Sequence, residues 1–343
     1  MSEPPSKTTG VYHPAFMQNL IDHNIYPADH LFPDGSLTEP PANMDEITAM
    51  LMEPLPASLT LTWNEFRQFK QVYRSSRKEQ QAMYCMLNVL QGSEDMLNSA
   101  LVAGSSGAVF TNLDHLTDGT LHAARPDYFH GSPPESLDRA VRFRLDHLIA
   151  PSKQKDLVIL PNFFLEAKGP KGNDEIAMLQ ATYDGALGAR AMHNLRGFKE
   201  PCSAAYDQKA YTIMFTSVAG CLNIYTTHLL EPRSPTNRPQ YITTLVAGFM
   251  MLSNIDQYRA AITAYRNAIK WAKSKRDEAI QLANDRSGML SPQVLLHLDA
   301  EVKTEMDTST DELSLGLSSK NHGRIEVQIP KRRVKVQRSI ETC

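Results

Sequence analysis

Apolar residues first recur at helical spacing at Trp63, Phe66, Phe69 and Tyr73, then at Met83, Met86, Leu87 and Leu90. That stripe predicts helix from 63 to about 91, with a bend near Ser75-Ser76. Thr62-Trp63-Asn64-Glu65 fits a capping box, the threonine accepting from the third helical N–H and Glu65 reaching back. A shorter helix is expected over 93–102. Gly104-Ser105-Ser106-Gly107 then reads as a turn before a strand around 108–111. The next strand ends in Ala124-Arg125-Pro126-Asp127-Tyr128-Phe129, and 131–134 reads as a break. Leu137, Val141, Leu145 and Leu148 lie on one face of a helix over 136–148.

The apolar run from Leu157 to Ala167 predicts a strand, and Gly169-Pro170-Lys171-Gly172 a turn out of it. Asn173 or Asp174 caps a long helix to about 194, with Ile176, Leu179, Tyr183, Leu187 and Ala191 at helical intervals. Two strands follow, 211–218 and 221–229, joined at Ala219-Gly220, and a third over 240–252. Ser253-Asn254-Ile255-Asp256 opens a last helix to about 285. Helix, strands, helix, strands, helix is the order of an α/β (α+β) chain: a mixed central β-sheet flanked by helices.

The two ends follow another pattern. Residues 1–58 carry nine of the 21 prolines and read as an arm wrapped on the domain, with one short helix at 44–52 capped by Asn43. Residues 59–287 form the domain. From 288 the periodicity fades into an acidic, serine- and threonine-rich stretch over 301–323, then a basic cluster over 329–338. Such a cluster in a low-order tail suits a nuclear-import signal or a nucleic-acid arm, or is a solvated tail with no partner.

Composition narrows the classes. Hydrophobic residues make up 42% of the 343 positions, enough for a sizeable core. The formal net charge of −3 argues against coating nucleic acid by bulk electrostatics, though not against a local basic cleft. Cys85, Cys202, Cys221 and Cys343 show neither metal spacing nor a disulfide framework. The beginning Met1-Ser2-Glu3-Pro4-Pro5 lacks a positive region followed by an apolar core, and no apolar run is long enough for a membrane span. An intracellular protein of the nucleus or cytoplasm, with no membrane partner, is expected. The 11 histidines form no HExxH, no GxSxG elbow is present, and the Gly104–Gly107 turn lacks the Gly-Lys-Ser/Thr ending of a phosphate loop.

Candidate chemistry centres on Phe163-Phe164-Leu165-Glu166-Ala167-Lys168-Gly169. Glu166 and Lys168, two apart on a strand, point to one face. With Asp127 on a neighbouring strand, two carboxylates can hold a divalent cation through oxygen while the lysine orients or deprotonates water. An acidic pair would keep Lys168 protonated, so stabilising developing charge is its easier role. The structural alternatives are a turn-capping Asp127, and a Glu166 buried as an ion pair with Lys168 or Arg125. Asp127 and Glu166 meet only if the predicted helix between them folds out as an insertion.

Pro126-Asp127, Glu166-x-Lys168 and a following helix with Gln180 and Tyr183 together resemble the PD-(D/E)XK nuclease-like superfamily. The run from Pro161 to Leu195 resembles a fungal group of proteins with such a domain, and the resemblance covers roughly 60–285. It implies a restriction-endonuclease-like core and a metal-dependent nuclease acting on DNA, with RNA second. It also implies Mg²⁺ or Mn²⁺ held by Asp127, Glu166 and the carbonyl of Ala167. Lys168 would assist water attack, and Gln180 and Tyr183 would support the site and contact the nucleic-acid backbone. In the family's RecB-like branch that Gln–Tyr spacing is one residue longer, and Tyr183 also falls on the apolar stripe. Arg125 and Lys171, with Arg190, Arg196 and Lys199, are candidates for a phosphate-binding face. Glu79 and Glu94 are candidates for a further acid on the first helix. The alternative is a catalytically inactive nuclease-like binding module, such as a fungal effector.

Overall fold

The computed structural model describes residues 9–56, 61–92, 103–200, 206–232 and 238–288. The helix expected over 93–102, with Glu94, and the tail from 289, acidic stretch and basic cluster included, lie outside them. Among the described residues the elements are α1 (Phe16–Asp22), β1 (Ile25–Tyr26), α2 (Met44–Leu51), α3 (Trp63–Ser75), α4 (Glu79–Gln91), β2 (Ala103–Ser106), β3 (Tyr128–Ser132), α5 (Arg139–Ile149), β4 (Ile159–Ala167), α6 (Asp174–Arg196), β5 (Ala210–Val218), β6 (Cys221–Leu230), β7 (Gln240–Met250) and α7 (Ile255–Gly288). No helix among them is long and apolar enough to cross a membrane.

The seven strands form one mixed sheet in the order β1-β7-β6-β5-β4-β3-β2. β4 runs parallel to β5 and β1 parallel to β7, and the other neighbours are antiparallel. Helices cover both faces, which makes the chain α/β with a mixed central sheet. Side chains alternate across the pleat. Phe163 and Leu165 of β4 therefore join the core beneath α2, α3, α4 and α7, while Phe164 joins the core beneath α6 and α1. The segment before 58 contributes to both layers: Phe16 and Leu20 to one core, Ile47 and Leu51 to the other.

Local chemistry accounts for the boundaries. Both halves of the Thr62–Glu65 capping box form, and the periodic stripe divides at Ser76 into α3 and α4. Asn43 stands before α2 but makes no side-chain cap; its amide instead brackets Ala210, donating to the carbonyl at 2.9 Å and accepting from the N–H at 2.9 Å. The Gly104–Gly107 stretch is not a turn: Ala103–Ser106 is the edge strand β2, paired with β3, and 108–111 is not a strand. At Gly104 a Cβ would lie 2.3 Å from the Tyr128 hydroxyl, so any larger residue there would displace that ring. β3 likewise runs through Gly131 and Ser132, where a break was expected, because the register shift between His130 and Ser132 accommodates Pro161 and the positive φ of Leu160 (56°) on β4.

α5 is the insertion on which the site depends. Its Val141 and Ile149 pack in a separate apolar cluster with Leu195 of α6 and Ile280 of α7. The helix thus lies outside the sheet, and β3 and β4 pair directly.

Candidate functional site

The β3–β4 pairing sets Tyr128 opposite Leu165, so Asp127 faces Glu166 one step further, both on the side of the sheet that α6 covers. Two hydrogen bonds tie the step: the Asp127 N–H donates to Glu166 Oε1 at 3.2 Å, and the Ala167 N–H donates to Asp127 Oδ2 at 2.9 Å. Lys168 continues the ladder on the other side, its N–H donating to the Ser217 carbonyl at 2.8 Å. Its stem packs under Gly172, where a Cβ would come within 2.2 Å of the lysine Cβ.

Lys168 Nζ is the electrostatic centre. It lies 3.5 Å from Glu166 Oε2, 3.7 Å from Glu79 Oε1 and 4.0 Å from Asp127 Oδ2. Burial pulls its pKa down, but the carboxylates of Glu166, Asp127 and Glu79 outweigh that and leave it raised, so the amine stays protonated. Burial pushes Asp127 up against the Ala167 N–H and Lys168, which pull it down. Glu79, at the start of α4, is the candidate acid that this geometry brings to Lys168.

Sequence reasoning missed one group. Asp184, on α6, is 3% exposed and confronts Glu166, which is 1% exposed. Burial first, then each other's charge and that of Asp127, raise Glu166 well above the carboxylate range, and burial carries Asp184 up to about 7. Gln180 lies one turn before Asp184, and the two share a helix face with Glu166 below. These three, with Arg125, Tyr183, Val11 and Phe16 among others, line a cavity of about 140 Å³. Glu166 Oε2, Asp184 Oδ2 and Gln180 Oε1 are buried there and accept from no N–H or hydroxyl of the chain, the two carboxyls facing each other closely enough to share a proton and Lys168 pairing with Glu166. Tyr183 belongs to the core, edge-on to Phe16, while touching the same cavity.

No family model matches this chain, nor does any curated protein or solved structure. The site is therefore read from its geometry. Among the described residues no three of His, Cys, Asp and Glu are grouped as a metal cluster. Any ion here would draw on mixed oxygen donors: carboxylates together with a main-chain or amide carbonyl.

The proposed phosphate-binding face is not a single surface. Arg125 is exposed, its Nε donating to the Gly107 carbonyl, and Lys171 is exposed on the turn after β4. Arg190, however, is buried within α6, Arg196 pairs with Asp207 and stacks on Tyr211, and Lys199 donates to the Arg286 carbonyl. None of those three lines the cavity beside Glu166. A larger groove of about 770 Å³ runs along α3 and α4 and includes Phe69, Cys85 and Tyr258, but it holds no cluster of carboxylates.

Proposed function

We propose that the chain is a metal-dependent nuclease with a PD-(D/E)XK-like site, hydrolysing phosphodiester bonds of DNA and secondarily RNA, in the nucleus or cytoplasm. The observation that carries this reading is the meeting of Asp127, Glu166 and a protonated Lys168 at the end of one hairpin, despite the helix inserted between β3 and β4. The donors are all oxygen, which suits Mg²⁺ or Mn²⁺ rather than zinc. Such an ion, held by Asp127, Glu166 and the Ala167 carbonyl, would polarise the scissile phosphate and lower the pKa of bound water.

The chain's own groups divide the remaining work. Lys168 holds its proton and stabilises charge developing on the phosphate, because three carboxylates keep the amine cationic. Gln180 fixes what sits beside Glu166. Arg125 at the cavity and Lys171 on the neighbouring turn attract the backbone electrostatically. The second reading, a binding module without catalysis, draws support from the net charge of −3 and from the Gln180–Tyr183 spacing, one residue shorter than in the RecB-like branch.

Cleavage of linear DNA, circular DNA and RNA with Mg²⁺ or Mn²⁺ tests the choice. Wild type is expected to cut only with metal, and Lys168→Ala to lose about a hundredfold or more in rate with an unchanged circular-dichroism spectrum. Equal cutting by both proteins, or none by wild type, would favour the binding module.

A further inference from the structure

Three acceptor oxygens converge on one small cavity, and among them only Glu166 Oε2 is reached by a cation of the chain, Lys168. An unpaired buried acceptor costs about 1–3 kcal/mol, more if charged, and Glu166 Oε2, Asp184 Oδ2 and Gln180 Oε1 present three together. Lys168 reaches only the first, at 3.5 Å, and already answers Glu79 and Asp127. A proton shared by the two carboxyls would settle Glu166 and Asp184. It would leave the amide oxygen of Gln180 unsatisfied, since an amide takes no proton at neutral pH. A hard cation suits all three, because such ions accept carboxylate and amide oxygens alike at about 2.0–2.6 Å. The cavity of about 140 Å³ also leaves room for waters on the ion, at roughly 30 Å³ each.

We propose that Glu166, Asp184 and Gln180 form a site for one hard divalent cation, of the magnesium and manganese class, on the α6 side of Glu166. Asp127 does not line this cavity; it holds the other side of Glu166, towards Lys168. The proposal deepens the nuclease reading and rests on it for what the ion does, but binding is measured apart from cleavage.

The test is a titration of the metal-free full chain with Mn²⁺, bound ion being counted by electron paramagnetic resonance. Wild type is compared with Asp184→Asn, Gln180→Met and Asp127→Asn. Asp184→Asn is expected to lose one equivalent of Mn²⁺, Gln180→Met to hold that equivalent about tenfold more weakly, and Asp127→Asn to retain it. If Asp184→Asn does not fold, Gln180→Met decides, its residue being only half-buried. Wild-type binding in both α6 variants, or no binding by wild type, overturns the site. DNA cleavage on the same preparations separates the two readings. Cutting by wild type with full Mn²⁺ binding in Asp184→Asn removes this site and leaves the nuclease. Mn²⁺ bound by wild type and lost in Asp184→Asn, with nothing cut, leaves this site and removes the nuclease.

Discussion

β4 carries a buried polar cluster at each end, and the two are finished differently. Near its start, Asn162 donates to the carbonyls of Tyr211 and Ala272, each at 2.9 Å, and accepts from Arg276, whose Nε donates to Ser132 Oγ at 3.0 Å. Arg276 is 1% exposed, and burial draws its pKa down to about 10. At the other end Glu166, Asp184 and Gln180 turn oxygens into a cavity where no N–H or hydroxyl of the chain donates to them. Both clusters are built on the same strand, and Asn162, Arg276, Glu166 and Asp184 are all buried, so burial does not separate structure from function. What separates them is whether the hydrogen-bond inventory closes within the chain. The first closes and joins β3, β4, β5 and α7; the second does not close within the chain.

Substitution at the closed end should give the largest effect on stability. Asn162→Leu keeps the branched shape but leaves the Arg276 guanidinium and two carbonyls short of partners, an expected loss of about 3–5 kcal/mol in urea unfolding. Cleavage per folded molecule should not change. A small loss there would mean that the Arg276 cluster is not what fastens α7 to β4.

At the open end the expected effect is a few kcal/mol, with the opposite chemistry. Glu166 and Asp184 have raised folded-state pKa values, so the folded protein holds protons that the unfolded chain releases. Their contribution is fully present below the unfolded carboxylate range and is lost as pH rises through the folded values, for Asp184 between about 4 and about 7. Metal-free protein should therefore melt at lower temperature at pH 8 than at pH 5. Asp184→Asn should flatten that slope while leaving the protein at least as stable at pH 8. A melting temperature independent of pH, or a steeper slope in the variant, would show that the two carboxyls are not confronted as described.

The smallest effect concerns the approach to the open end. Arg125→Ala and Lys171→Ala should each weaken binding of single-stranded DNA and lower the salt dependence of the affinity by about one unit of slope. An unchanged slope would remove these residues from the phosphate path.

Hydrophobic period made most of the fold legible. The strands β4 to β7 and the helices α6 and α7 end within a few residues of where alternation and capping residues place them. β2 escaped because Gly-Ser-Ser-Gly has turn composition, whereas in the fold Gly104 leaves room for the Tyr128 hydroxyl on the neighbouring strand. The trio Asp127, Glu166 and Lys168 stood out through its spacing. Asp184 did not, because every residue of α6 from Ala181 to Met192 is buried and a helix buried all round gives periodicity no face to mark. Gly188, where a Cβ would meet the Pro161 carbonyl at 2.8 Å, lets α6 press onto β4. The available signal was an aspartate in an alanine- and glycine-rich stretch, four residues after Gln180. Tyr183, one residue before Asp184, fits the apolar stripe instead, and its ring packs against Phe16.

The central claim is that the open end of β4 awaits a cation, and the most direct measurement is thermal unfolding of metal-free protein with and without Mn²⁺ at pH 7.5. With Mn²⁺ at a hundred times its dissociation constant, wild type should melt about 5 °C higher or more, while Glu166→Gln should show no such gain. No shift in wild type, or the same shift in Glu166→Gln, would contradict the account.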